Sequence, residues 1–283
     1  METEALRNRR LRRKYAGMVI PKPVDSAPVI NWNETVVIVA VPQWGKTRLL
    51  QALAEPLKGN LIVVDTAQRG EWDRFGLPIT SDWRDIARLP GLIWRPNVDH
   101  VLDWDRKGYT DEWSKGLELI MEVRAPAPTD GRPRGGTTVI YDEMLDSAPG
   151  KPHPRVRKGI IQGEGRGLGS WGGAQSPYGI SQRFLSAAKH RFAGKIGTAQ
   201  ERGIIEASWG ALPAVELPPP VREVSGGGFQ YVGEMGRHYG PFILTSSGAL
   251  ETKRDLANSP DPRTDVEKSQ EGDETGLQEA ARA

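Results

Sequence analysis

The sequence predicts an α/β fold with a mostly parallel sheet that helices cover on both faces. Short, nearly continuous apolar runs recur along the chain, and such runs indicate strands buried on both faces. Segments with helical or Gly/Pro-marked patterns separate the runs, and this alternation is typical of α/β proteins. The predicted strands are 36–40, 61–65, 92–94, 137–142, 170–175 and 191–197, and the predicted helices are about 47–55, 111–123, 155–166, 180–189 and 200–208.

Length and composition bound the classes of protein that this chain can belong to. Its 283 residues, 37% hydrophobic and 26% charged, are enough for one sizeable core, so we expect one domain with tails. The absence of cysteine excludes disulfides and thiolate metal sites. No apolar run reaches the roughly 20 residues that span a bilayer, and no signal-peptide pattern is present. We therefore expect a soluble protein in the cytoplasm of its cell or of an infected host.

Charge divides the chain into three parts, although the net charge of +2 does not itself point to a partner. Residues 1–22 carry seven Lys or Arg against two Glu, and we expect 1–30 to be a basic arm. Residues 31–245 form the predicted domain, which closes with a Gly-rich hairpin and a last strand ending at Leu244. Residues 246–283 have few large apolar side chains, so we expect a disordered acidic tail.

A phosphate-binding loop is indicated by the stretch "VVIVAVPQWGKTRLL" at 36–50. The pattern G-x-x-x-x-G-K-[ST] places backbone N–H groups and a helix N-terminus around phosphate, with Lys on the outer phosphates and a hydroxyl on Mg²⁺. Gly45, Lys46 and Thr47 occupy the last three places, and Ala40 stands where the pattern has its first Gly. A chance match is much less probable for a motif that follows a strand and precedes a helix than for the motif alone.

Three residues inside the loop are unusual for such a motif. Pro42 has no N–H to offer a phosphate, and Gln43 has fewer backbone conformations than glycine. Trp44 is bulky where small residues are common, which places it near the nucleotide or a neighbouring subunit. We expect the loop to hold phosphate with fewer donors and Trp44 to pack at its edge.

A second candidate segment, "TTVIYDEM" at 137–144, is an apolar strand that ends in two carboxylates. Ligands of α/β sheets bind at the carboxyl ends of parallel strands. Asp142 is therefore a candidate for holding Mg²⁺ through water, and Glu143 for activating an attacking water. The alternative is that the two acids only open a turn. Together with Gly-Lys-Thr upstream, they predict an ATPase site.

A third segment, at 155–181, contains a basic helix and a short strand that ends in Gln175. An amide at the tip of a strand beside the Asp-Glu strand can contact the γ-phosphate or the attacking water and so report hydrolysis. Alone, Gln-x-Pro would indicate only the boundary between a strand and a loop.

The order of these motifs resembles the FtsK–HerA superfamily of DNA-pumping ATPases. The match covers about residues 30–245, and its specific parts are 36–47, 137–143 and 166–177. Within the superfamily, the compact length is similar to the genome-packaging ATPases of membrane-containing, double-jelly-roll viruses. Zot-like phage assembly ATPases share the core pattern. The segment "VVDTAQRGEW" is also similar to an Asp…Gly-Glu-aromatic segment of HerA-like members, with longer spacing.

The resemblance implies a RecA-like P-loop NTPase core and specific roles for its residues. It implies that Gln175 is a sensor and that Glu143 is the catalytic base. It also implies a ring in which an Arg of one subunit reaches the γ-phosphate of its neighbour. Arg166 matches that position best, with Arg157 and Arg183 as competitors.

The function that follows from the resemblance is ATP-driven translocation of double-stranded DNA, with Mg²⁺, into a viral capsid. It implies a pentameric or hexameric ring, partners at the capsid vertex or portal, and a place in infected cells or on the virion. Alternatives are another FtsK–HerA-type pump, a Zot-like assembly ATPase, and a non-motor nucleotide switch or scaffold. DNA contact would need Lys and Arg along a path. The candidates are the arm (Arg9, Arg10, Arg12, Arg13, Lys14) and the segment with Lys151, Arg155, Arg157 and Lys158.

Overall fold

A computed structural model of the chain shows a ten-stranded, mostly parallel sheet with helices packed on both faces. It describes residues 28, 30–97, 102–103, 108–109, 111–126, 136–144, 153–212, 217–220, 225–233, 238–245 and 250–252. The predicted basic arm and acidic tail lie almost entirely outside this part of the chain. The α/β fold expected from the sequence is confirmed.

The strands are β1 (Thr35–Val39), β2 (Leu61–Val64), β3 (Ile79–Thr80), β4 (Leu92–Trp94), β5 (Leu102–Asp103), β6 (Gly108–Tyr109), β7 (Thr137–Tyr141), β8 (Leu168–Ala174), β9 (His190–Ala193), β10 (Ser225–Val232), β11 (His238–Thr245) and β12 (Leu250–Thr252). The α-helices are α1 (Lys46–Ala54), α2 (Asp85–Arg88), α3 (Asp111–Leu119), α4 (Pro154–Arg166), α5 (Gln182–Ala187) and α6 (Ala199–Trp209). Short 3₁₀ segments occupy Glu55–Asn60 and Asp73–Phe75, and a π-helical turn, Ile120–Arg124, continues α3.

The order of strands in the large sheet is β12-β11-β10-β9-β1-β8-β7-β2-β4-β3. Strand β1 lies in the parallel part, between β8 and β9. Strand β7 pairs in parallel with β8 on one side and β2 on the other. The carboxyl ends of β1, β8, β7 and β2 therefore share one edge of the sheet, where ligands of parallel sheets bind.

Strand β1 shows why these apolar runs form central strands. Val37 and Val39 face one core layer, while Val36 and Ile38 face the other, as the two-residue period of a strand requires. On the second face α1 buries Leu49 and Leu50. Residues of α3, α4, α5 and α6 cover the first face. Burial on both faces holds β1, and so the start of the loop that follows it, in a defined position.

The C-terminal part differs from the parallel core because its strands are antiparallel. Strand β10 pairs with β9 and with β11, and β12 adds to β11. Residues 234–237 lie outside the described part, so the expected Gly-rich hairpin connection stays a prediction. Within the described residues, no helix has the length and hydropathy needed to cross a bilayer.

Candidate active site

A cavity of about 770 Å³ opens at the carboxyl edge of the parallel strands. Four segments meet there: the loop between β1 and α1, the loop after β2, and the ends of β7 and β8. Its lining residues are Pro42, Gln43, Gly45, Lys46, Thr47, Arg48, Gln51, Ala67, Arg69, Gly70, Glu71, Arg74, Asp142, Glu143 and Gln175. The structure thus brings together residues from all three segments that the sequence singled out.

The loop at 40–45 is anchored at its start and leaves its N–H groups free at its end. Ala40 N–H donates to Ala174 O at 3.1 Å, and Val41 N–H donates to Lys195 O at 2.9 Å. Among the described residues, no acceptor is recorded for the N–H groups of residues 43–48. The left-handed conformations of Gln43 (φ 60°) and Gly45 (φ 97°) shape this run of donors. Such a run at a helix N-terminus can hold an anion.

Lys46 lies folded against its own loop. Its Nζ donates to Ala40 O at 3.1 Å and to Val41 O at 3.3 Å. Burial lowers the pKa of the ammonium, and the nearby carboxylates of Glu143 and Asp142 oppose that shift. The ammonium is thus held beside the free N–H groups by neutral carbonyls, which a phosphate can replace.

Thr47 and Asp142 meet across the cavity although they are far apart in the sequence. The Thr47 hydroxyl donates to Asp142 Oδ1 at 3.2 Å. Burial raises the pKa of Asp142 to about 6, and Asp65 and Glu71 add to this rise. The Trp72 indole N–H lies near enough to lower the pKa of Asp142, but it makes no hydrogen bond of ordinary geometry.

The Thr47 and Asp142 pair provides oxygen ligands of the kind that Mg²⁺ prefers. Magnesium is usually held by one or two side chains, waters and substrate phosphates rather than by an all-protein cage. The described residues contain no group of three or more His, Cys, Asp or Glu that could hold a metal ion. The donor set fits Mg²⁺ bound together with a nucleotide.

Glu143 and Gln175 form the second polar pair. The Gln175 Nε2 donates to Glu143 Oε2 at 3.2 Å, from the tip of β8 to the end of β7. Next to it, the Ser176 hydroxyl donates to Glu201 Oε1 at 2.6 Å, which ties the end of β8 to α6. A carboxylate and an amide in direct contact form a unit that can position one water beside a phosphate.

Trp44 packs under the C-terminal strands. Its side chain is 7% exposed, and its indole N–H donates to Gly228 O at 2.9 Å. Gly227 N–H donates to Trp44 O at the same distance. A Cβ built on Gly194 or on Gly227 would lie 2.5 or 2.3 Å from the indole. Gly194 and Gly227 therefore make room for Trp44, a role that their sequence alone does not reveal.

A second cavity, of about 580 Å³, lies on the β9 side of the same loop. Trp44 forms one wall, and the start of α6, with Thr198 and Arg202, forms another. Leu212 and Leu217 supply apolar surface. The loop between β1 and α1 thus has a cavity on each side.

Arg166 packs inside its own chain. It is 6% exposed, and its guanidinium donates to Ala125 O and Met121 O, each at 2.7 Å. These bonds satisfy carbonyls at the end of the π-helical turn. In this structure the Arg166 side chain is buried and bonded within its own chain, which does not favour the expected reach to a neighbouring subunit; that role stays a prediction. Arg157 and Arg183 are both exposed.

Similarity to solved structures supports the same fold. A genome-packaging NTPase, B204 of Sulfolobus turreted icosahedral virus 2, matches with a TM-score of 0.54 in its sulfate complex, at 16% identity over 75% of this chain and 98% of that one. The AMP complex of the same protein gives 0.53 over 78% and 97%. B204 of Sulfolobus turreted icosahedral virus gives 0.51 at 14% identity, with the same coverage. This chain has the fold of a genome-packaging P-loop NTPase.

At these identities, the similarity bears on the fold. The expected fold, a RecA-like P-loop NTPase core, is thereby confirmed. No protein-family model matches the chain, and a search of curated proteins finds no match. The roles of individual residues therefore have to be argued from the geometry of the site.

The loop after β2 supplies site residues that the sequence motifs did not identify. Arg69, Glu71 and Arg74 all line the cavity beside the phosphate loop. The segment "VVDTAQRGEW" marked this region in the sequence, but nothing in it showed which side chains point toward the site. Strand order decides this, because β2 lies next to β7 in the sheet.

Proposed function

We propose that this protein is a Mg²⁺-dependent ATPase that drives double-stranded DNA into a viral capsid. The observation that carries the proposal is the pairing of Thr47 with Asp142 and of Gln175 with Glu143 around a loop of free N–H groups. The four residues come from three segments of the sequence. Their convergence at one edge of the sheet supports phosphate binding together with hydrolysis.

The nucleotide would bind across the phosphate loop. Its phosphates would accept the N–H groups of residues 43–48, and Lys46 would leave the carbonyls of Ala40 and Val41 to neutralise them. The nucleobase would enter the second cavity, between Trp44 and Arg202 on the β9 side of the loop, away from the carboxylates of Asp142 and Glu143. This placement directs the γ-phosphate toward β7 and β8.

Hydrolysis would then use the polar pairs at the strand ends. Mg²⁺ would be held by Thr47 and, through water, by Asp142, and it would offset charge on the phosphates. Glu143 would accept the proton of the attacking water, and Gln175 would hold Glu143 and that water in line with the phosphate. Departure of the γ-phosphate after hydrolysis would remove its contact with Gln175, so Gln175 and β8 can respond to the completed step.

Translocation requires a ring, DNA contacts and an arginine from a neighbour. Arg183 and Arg157 are the two exposed candidates for that arginine. Arg155 forms ion pairs with Glu118 and Glu122, so it is a weaker candidate for DNA than the neighbouring Arg157 and Lys158. Lys151 and the basic arm lie outside the described residues and remain predicted contacts. A pentamer or hexamer at a capsid vertex, assembled in an infected cell, is the setting we propose.

The test is DNA-stimulated ATP hydrolysis by the wild type, Lys46→Ala and Glu143→Gln. Double-stranded DNA should raise wild-type turnover, and each variant should lose about 100-fold or more, as expected for loss of a phosphate ligand or of the base. The matched controls are Lys115→Ala, on an exposed side chain, and Glu164→Gln, on a half-exposed one. Both should stay within about twofold of the wild type, as surface substitutions usually do.

The outcome also separates the competing functions. A nucleotide switch would bind ATP but show no DNA stimulation, and Glu143→Gln would leave its turnover unchanged. Electron microscopy with double-stranded DNA and an ATP analogue addresses the assembly. Rings encircling DNA would support a pump, whereas filaments or single chains without DNA would count against it.

A further inference from the structure

The β2 loop, residues 65–76, forms the wall of the phosphate cavity opposite the β1–α1 loop. Three charged residues of the β2 loop line the cavity: Arg69, Glu71 and Arg74. Across the whole cavity, four cations (Lys46, Arg48, Arg69, Arg74) face three carboxylates (Glu71, Asp142, Glu143). A polyphosphate brings several negative charges, so extra cations on this wall have an evident ligand.

The β2 loop is held in place at several points. Asp65, 1% exposed, accepts from Arg95 Nε at 2.8 Å, and Arg95 also pairs with Asp73. The Gln51 side chain, from α1, donates to Glu71 O at 2.8 Å. Trp72 is fully buried, with its ring edge-on to Phe75. These contacts fix the backbone of the β2 loop and therefore the positions from which the side chains of Arg69 and Arg74 extend.

Among the described residues, the guanidinium groups of Arg69 and Arg74 make no hydrogen bond or ion pair, and the same is true of Arg48 across the cavity. Arg95 and Arg155 each pair with two carboxylates. Arg69 and Arg74 are exposed. Arg69 lies close enough to Lys46 for its charge to lower the pKa of that ammonium. Two like charges beside each other are stabilised when an anion binds between them.

We propose that Arg69 and Arg74 bind the γ-phosphate of the nucleotide held by the same chain. This inference rests on the proposed ATPase function. A guanidinium offers two parallel N–H donors to phosphate oxygens, which suits the terminal phosphate better than the bridging positions. The β2 loop lies beyond β7, on the side where the γ-phosphate would point, away from the base cavity. The arginines would thus distinguish ATP from ADP without help from a neighbouring subunit.

The experiment compares binding of AMPPCP and ADP, each with Mg²⁺, to the purified chain. The test variant is Arg69→Ala/Arg74→Ala. Its control is Arg84→Ala/Arg88→Ala, which removes the same charge from two exposed side chains on another surface. The test variant should bind AMPPCP at least about tenfold more weakly, because the loss of even one charged hydrogen bond corresponds to about that factor, and it should bind ADP within about twofold of the wild type. The control should keep both affinities.

A Lys replacement tests whether charge or geometry matters. Arg69→Lys/Arg74→Lys should recover part of the AMPPCP affinity, since Lys keeps the charge but not the paired donors. If the Ala variant keeps the wild-type ratio of AMPPCP to ADP affinity while the wild type still hydrolyses ATP, the inference is wrong and the proposed function stands. If the wild type binds neither nucleotide, the proposed function itself fails.

Discussion

Replacing Asp142 by Asn should stabilise the nucleotide-free protein at neutral pH while abolishing its activity. The Asp142 carboxyl has a pKa of about 6 in the folded chain because burial disfavours its charge, with Asp65 and Glu71 adding to the effect. In an unfolded chain the pKa of Asp is about 4, so the folded state binds more protons between these two values. Stability is therefore lost as the pH rises through about 6, and the cost persists above it.

The size of this effect follows from the shift. About two pKa units correspond to about 3 kcal/mol, and relaxation around the site reduces this, so we expect a gain of about 1–3 kcal/mol for Asp142→Asn. Asn is neutral and can still accept the hydrogen bond of Thr47 through its side-chain oxygen. The wild type is less stable than the variant by this amount because it keeps a charged ligand in the cavity.

Urea denaturation without Mg²⁺ or nucleotide measures the difference between variant and wild type. The variant should be more stable at about pH 7.5, and the difference should shrink toward about pH 4, where the folded-state carboxyl is protonated. Asp82→Asn is the control, because the Asp82 side chain is partly exposed and its pKa is lowered by the backbone N–H of Arg84, so no gain is expected. An Asp142→Asn variant that is no more stable than wild type at neutral pH would refute the desolvation argument.

Two further predictions concern Trp44 and Arg166. Trp44→Ala should lower the free energy of unfolding by about 3–5 kcal/mol through lost packing. Trp44→Phe should lower it less, because the main losses are the hydrogen bond to Gly228 O and part of the ring. Calorimetry compares the variants, and equal stability of Trp44→Ala and wild type would contradict the packing argument. Arg166→Ala should lower stability by about 2–4 kcal/mol because it leaves the carbonyls of Ala125 and Met121 buried without donors. The turnover of Arg166→Ala per folded molecule should stay near that of the wild type, and a variant that is stable but inactive would support a reach of Arg166 to the neighbouring subunit. Arg183→Ala subunits mixed with wild-type subunits should lower the turnover of the mixed rings.

The sequence alone was enough to predict the parallel core and three segments of the site. Strand β1 illustrates why, since its four consecutive buried apolar residues, followed by Gly45, Lys46 and Thr47, form a local pattern whose meaning does not depend on distant residues. Asp142 and Gln175 were found for a similar reason. Each stands at the end of an apolar strand, and the ends of parallel strands gather at one edge.

Tertiary structure decided what each polar side chain contacts. Arg166 and Arg69 are both arginines beside a motif, yet one is buried against carbonyls and the other lines the cavity. The difference arises from the π-helical turn under α4 and from the place of β2 beside β7, which sequence periodicity does not encode. Trp44 likewise found its partner at Gly228, 184 residues away. Local patterns determine which backbone elements form, whereas the partner of a long polar side chain depends on contacts between segments that only the folded chain brings together.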